Sequence, residues 1–121
     1  MIKRMSNDAP EFYGYMGRVF GSRKVQKETA DRFYDDDEKD WIVGIEENAV
    51  ASVVSIKDSC IKNVYVEDVL SLICVLKEVF AEVSGGTVPI AYRNAYIEAG
   101  YEILQEKKNF LIIKGGKSKD E

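Results

Sequence analysis

Ile61-Lys62-Asn63-Val64-Tyr65-Val66-Glu67-Asp68-Val69-Leu70-Ser71-Leu72-Ile73-Cys74-Val75-Leu76-Lys77-Glu78-Val79-Phe80-Ala81-Glu82-Val83 carries a change of apolar period within two residues. Up to Val66 the short, β-branched run reads as a strand. From Asp68 the apolar residues Val69, Leu72, Ile73, Leu76, Phe80 and Val83 recur at helical spacing, and Ser84-Gly85-Gly86 ends the stripe. A strand therefore passes almost directly into a long helix through Glu67-Asp68, with no glycine and no basic residue between Val66 and Lys77.

On the N-terminal side of this junction the period is two. In Trp41-Ile42-Val43-Gly44-Ile45, Trp41, Val43 and Ile45 share a face; Glu47-Asn48 turns the chain; Val50 to Ile56 leads on to Ile61 to Val66. That predicts a three-stranded antiparallel meander. Further upstream, Ile2 to Met5 reads as a short strand. Asp8, Pro10 and Glu11 form a helix start, Phe12, Met16, Val19 and Phe20 follow at helical spacing, and Gly21 closes the helix. Ser22 caps a second helix to about Phe33, anchored by Val25 and Phe33. On the C-terminal side, Thr87 to Tyr92 reads as a strand carrying Pro89, a residue placed most easily where the sheet lacks a neighbour. Arg93 to Ala99 is a short helix with Gly100 past its end. Tyr101 to Gln105 and Asn109 to Lys114 are strands joined by Glu106-Lys107-Lys108.

Composition bounds the function. The 121 residues, 45% hydrophobic and 31% charged, suffice for one α+β domain over residues 1–114, with the polar Gly115-Gly116-Lys117-Ser118-Lys119-Asp120-Glu121 as a frayed tail. Seventeen basic residues against 21 acidic ones give −4 at pH 7, which speaks against a general nucleic-acid binder. The basic Lys3-Arg4, Arg18, Arg23-Lys24 and Lys27 and the acidic run Asp35 to Asp40 read as solvated faces and a polar loop. There is no histidine, which removes the usual neutral-pH proton shuttle, imidazole-based triads and most zinc sites, so no metal is expected. Cys60 and Cys74 are too few for a disulfide framework and are expected as buried, reduced thiols. No apolar run approaches a membrane span or a signal peptide, so a cytoplasmic location is expected.

The order strand, two helices, three meandering strands, long helix, strand, short helix and terminal hairpin resembles the GCN5-related N-acetyltransferase (GNAT) fold. Tyr96-Ile97-Glu98-Ala99-Gly100-Tyr101 is similar to that family's helix-to-strand element, an aromatic residue followed by three positions, glycine and an aromatic. Trp41-Ile42-Val43-Gly44-Ile45-Glu46 and Val50-Ala51-Ser52-Val53-Val54-Ser55 resemble its central hairpin. Arg18-Val19-Phe20-Gly21-Ser22-Arg23-Lys24-Val25 and Tyr34-Asp35-Asp36-Asp37 resemble GNAT-like proteins of phages and prophages. The resemblance covers about Ile2 to Lys114 and implies an acyl-CoA N-acyltransferase fold on a mixed central sheet, β-α-α-β-β-β-α-β-α-β-β.

In acetyltransferases of that family the fourth strand leads into a loop of the form Arg or Gln, two residues, Gly, one residue, Gly or Ala. Its amides and the following helix N-terminus hold the pyrophosphate of acetyl-CoA. Glu67-Asp68 stands there instead and places carboxylates where an anion would dock, so no cofactor is expected. Should the site nevertheless work, the resemblance implies acetyl-CoA as cofactor, backbone groups of Val64, Tyr65 and Val66 on its pantetheine arm, and Tyr96 as the acid that protonates the departing thiolate. It also implies that the fourth and fifth strands splay apart, which would offer Val64, Val66, Pro89, Ile90 and Tyr92 as a contact surface for a peptide, a small ligand or a second copy of the chain. Asp35, Asp36, Asp37, Glu38 and Glu46 lie near the strand that faces the acceptor amine, and none stands out as a base. The expectation is a GNAT-like domain with a degenerate acetyl-CoA site that binds a protein or small-ligand partner, homodimerisation included. The alternatives are a working N-acetyltransferase acting on an amine, and a phage accessory or inhibitor protein.

Overall fold

The computed structural model describes residues 1–6 and 39–117. The two helices expected between Asp8 and Phe33, the acidic loop as far as Glu38 and the end of the tail lie outside the described residues. Seven strands make one sheet: β1 (Ile2–Ser6), β2 (Asp40–Glu46), β3 (Ala49–Lys57), β4 (Cys60–Val66), β5 (Gly85–Pro89), β6 (Glu102–Glu106) and β7 (Phe110–Lys114), in the order β1-β2-β3-β4-β5-β7-β6. Neighbours are antiparallel except β4 and β5, which are parallel. A parallel pair cannot be joined by a hairpin, and the crossover is supplied by α1 (Val69–Val79) with a 3₁₀ turn at Phe80–Glu82. A second 3₁₀ turn, Ile90–Tyr92, runs into α2 (Arg93–Glu98). This is the α+β acyl-CoA N-acyltransferase fold class expected from the sequence.

Both meander turns use consecutive left-handed residues, Glu47-Asn48 (φ 52° and 64°) and Asp58-Ser59 (φ 54° and 65°). That handedness matches the right-handed twist of the flanking strands. The α2 stop explains the aromatic-glycine-aromatic element. Gly100 takes φ 97°, its N–H donates to the Ile97 carbonyl, and the Tyr101 N–H donates to the Tyr96 carbonyl at 3.0 Å. These are the two bonds of a Schellman cap, with Tyr96 and Tyr101 both buried at its apolar contact.

Among the described residues the core lies between the sheet and helices α1 and α2. Leu72, Val75, Leu76 and Val79 of α1 pack over Ile42, Val54, Val64 and Val66, while Ala95 and Tyr96 join Val88, Leu111 and Ile113. The opposite face of β1, β2 and β3 is buried as well, through Met5, Trp41, Val43 and Val53.

Several expectations change. The buried stripe of α1 is rotated: Val75 and Val79 point inward, and Val69 is 48% exposed. The cause is the close seat of α1 on the sheet, where a Cβ on Gly44 would lie 2.3 Å from Ser71 Oγ, and Ser71 Oγ meets Ser52 Oγ at 2.9 Å. Cys74 falls on the outer side of that rotated helix and is exposed, and Cys60 is half-buried; both are free thiols rather than buried ones. Gly85 and Gly86 open β5 instead of ending a helix, and the strand stops at Pro89, so Ile90 and Tyr92 belong to a turn. Lys39, at the end of the acidic run, is buried and donates to Asn63 Oδ1 at 3.0 Å. The expected tail is anchored at its start: the N–H groups of Gly115, Gly116 and Lys117 donate to the carbonyls of Ser84, Phe80 and Val83.

Candidate functional site

β4 and β5 are joined over one end only. Cys60 pairs with Gly85 and Ile61 with Gly86, and no further rungs follow, although β5 continues against β7 as far as Pro89. Glycine makes the paired end possible, because a Cβ on Gly86 would lie 2.9 Å from the Ile61 carbonyl oxygen and 3.0 Å from its nitrogen. Beyond it the β4–β5 ladder stops, while β4 continues to Val66 along β3. The splay implied by the family resemblance is present, and α1 begins at its mouth.

The junction at that mouth bonds several of its own amides. The N–H groups of Glu67 and Asp68 both donate to the Ala51 carbonyl of β3, at 2.8 and 2.9 Å. Asp68 is the N-cap with extended backbone (φ −130°, ψ 117°), and its Oδ1 accepts from the Leu70 N–H at 2.9 Å. The Glu67, Asp68 and Leu70 amides are thus bonded within the protein. The Glu67 and Asp68 carboxylates add negative charge at the positive end of the helix dipole, an arrangement that favours the helix by about 0.3–1 kcal/mol per group and repels an anion. Tyr65 donates its hydroxyl to Glu67. Val69 and Leu70, 48% and 72% exposed, give the first helical turn an apolar outer surface.

Of the expected contact residues, Val64, Val66 and Pro89 are buried, the two valines in the main core, whereas Ile90 and Tyr92 are half-buried against it. The valine side chains thus belong to the interior. Tyr96 is fully buried and donates to the Pro89 carbonyl at 3.1 Å. Burial pushes its phenol well above the ordinary range, with Tyr92 reinforcing the shift. Tyr101 donates to the Leu76 carbonyl at 2.7 Å, meets the Phe80 ring edge-on at 5.1 Å, and is likewise pushed up, first by burial and then by Glu82.

One polar group escaped the sequence reading. On the face away from α1, Ser55 Oγ and Lys39 Nζ both donate to Asn63 Oδ1, at 2.7 and 3.0 Å, and Lys39 Nζ stands 5.6 Å from the centre of the Trp41 ring. The signal was available: both faces of β2 are apolar, so β3 and β4 must also be buried on both sides, and Ser55 and Asn63 then fall inside. No group of side chains among the described residues has the make-up of a metal site. No described helix is long and apolar enough to cross a membrane.

No family model and no curated protein matches the sequence. Among solved structures the chain is similar to the crystal structure of the Campylobacter jejuni N-acetyltransferase PseH in complex with acetyl coenzyme A, with a TM-score of 0.52 and 12% identity over 93% of this chain and 96% of that one. Together with the element order and the one-ended β4–β5 pairing, this similarity identifies the architecture as the GNAT-like, acyl-CoA N-acyltransferase fold.

Proposed function

We propose that this chain is a GNAT-fold binding module whose acetyl-CoA site has degenerated, and that it acts through a ligand or partner held along the splayed β4 and β5 rather than by acetyl transfer. The observation that carries this reading is the turn between β4 and α1. A pyrophosphate needs free amides and a positive helix end. Here the Glu67 and Asp68 amides are bonded to Ala51, the Leu70 amide is bonded to Asp68, and two carboxylates occupy the approach. The buried, upshifted Tyr96, bonded to Pro89, supports a packing role over that of an acid for a thiolate. The splay between β4 and β5, paired at Cys60–Gly85 and Ile61–Gly86, supplies the functional surface for that ligand or partner.

The competing reading, a working N-acetyltransferase, has one observation in its favour: the similar PseH was crystallised with acetyl coenzyme A. Titration of acetyl-CoA, followed by calorimetry and thermal unfolding, separates the two. A ligand at 100 times its dissociation constant raises stability by about 2.7 kcal/mol. We expect no heat of binding and no shift in Tm at millimolar acetyl-CoA. A saturable heat with an upward Tm shift would overturn the degenerate-site reading.

A further inference from the structure

The face of β4, β5 and β7 turned away from α1 carries a second concavity, at the paired end of the splay and on the opposite side of the sheet from the main core. It is an open cleft of about 890 Å³. Register sets its composition. Cys60, Gly85 and Lys114 share one row across the three strands, Thr87 and Ile112 lie in the row beyond, and Phe110 lies opposite Pro89 in the third. Lys62 lies two residues beyond Cys60 on the same face of β4. The cleft is therefore cationic at the end where β4 and β5 are paired and apolar toward Phe110, where Leu104 contributes a side chain 53% exposed to solvent.

The charge is unbalanced in a chain whose net charge is −4. Lys62, Lys114 and Lys117 line the cleft, and no carboxylate does so among the described residues. Lys117 Nζ donates to Ser59 Oγ at 2.7 Å. Lys62 and Lys114 enter no ion pair with a described residue; Glu102, the register neighbour of Lys114, lies outside the lining. β4 and β7 flank β5, so their axes are about 10 Å apart, a gap that two lysine stems can close around one small anion. From Lys114 to Phe110 the floor runs about 13 Å along β7.

We infer that this cleft binds a small amphiphilic carboxylate, with the carboxylate held by Lys62 and Lys114 and an alkyl chain lying over Ile112, Phe110 and Leu104. A carboxylate offers an oxygen to each ammonium, and the exposed apolar floor gains by covering. The inference is independent of what occupies the open end of the splay.

Octanoate titrated into the full chain at low salt, followed by calorimetry and backbone amide NMR, tests it. The expected result is saturable binding with shifts centred on Lys62, Thr87, Ile112 and Lys114, weakened at least tenfold in Lys62→Glu/Lys114→Glu and in Ile112→Ser. Octanol and acetate, each lacking one half of the recognition, are expected to bind at least tenfold more weakly. The milder Lys62→Gln/Lys114→Gln pair, checked for folding by circular dichroism, is expected to lose affinity in the same direction. No saturable binding, equal binding of octanol or acetate, or octanoate binding unchanged in the folded glutamine variant would overturn the inference.

Discussion

The two ends of the β4–β5 pair differ in one physical property, the separation their side chains permit. At the start of the strands Gly85 and Gly86 bring β5 against Cys60 and Ile61, and the Ser84 N–H adds a bond to the Ser59 carbonyl at 2.8 Å. Farther along, β5 ends in a proline without a donor, and β4 continues to Val66 along β3. At the paired end backbone meets backbone, whereas at the open end the adjacent helices carry the packing: Tyr96 of α2 holds the Pro89 carbonyl, and the side chains of Val64 and Val66 join the core under α1. A partly open sheet thus keeps a fixed shape because its closed end sets two glycines of β5 against β4 and its open end is braced from one face.

The contrast can be broken most directly at Gly86. A Cβ there meets the backbone of Ile61, which cannot swing aside, so Gly86→Val should cost about 3 kcal/mol, read as a fall in the urea midpoint at unchanged m-value. A loss below about 1 kcal/mol would mean that the strands already separate at that end. Next in size is Val64→Ala, which removes buried volume beneath α1 at the open end and should cost about 2 kcal/mol by the same measurement. A negligible effect would mean that the open end is not braced by the core.

Tyr96→Phe leaves the Pro89 carbonyl without its phenol donor and should cost about 1–2 kcal/mol. It also carries a pH signature. The folded-state pKa values of Tyr96 and Tyr101 are raised above the unfolded value near 10, so the stability tied to neutral phenols is complete below about pH 10 and declines as pH rises further. Urea midpoints at pH 9 and pH 11 should therefore diverge more in the parent chain than in Tyr96→Phe/Tyr101→Phe. Equal divergence would deny that these phenols are desolvated. The smallest effect is expected of Asp68→Ala, about 1 kcal/mol for loss of the helix cap. Because Ala51 still engages the Glu67 and Asp68 amides, this variant should gain no affinity for acetyl-CoA, and a gain of tenfold in calorimetry would show that the carboxylate alone had blocked the site.

Much of the molecule was legible in advance where local rules act. The two-residue turn at Glu47-Asn48, the helix start at Glu67-Asp68 and the stop at Gly100 depend on a handful of neighbouring atoms, and each stands where the sequence implied. The strands of the meander follow from alternation, and α1 from its helical period. The misplaced features depend on distant parts of the chain. Which side of α1 faces inward was decided by Ser71 settling over Gly44 and Ser52, so Val69 turned outward and Val75 inward. Lys39 reads locally as part of a solvated acidic run, yet β2 carries it to Asn63, 24 residues away.

The candidate site divides in the same way. That the turn after β4 holds two carboxylates and neither glycine nor a basic residue, and that histidine chemistry is excluded, follows from residue type alone. Folding, by contrast, bonds the Glu67 and Asp68 amides of that turn to Ala51, sets the Tyr96 hydroxyl on the Pro89 carbonyl, and brings Lys62 and Lys114 to one cleft. Spacing along a chain fixes which way neighbouring side chains point, whereas partners tens of residues apart are set by sheet register and by the seat of a helix upon it.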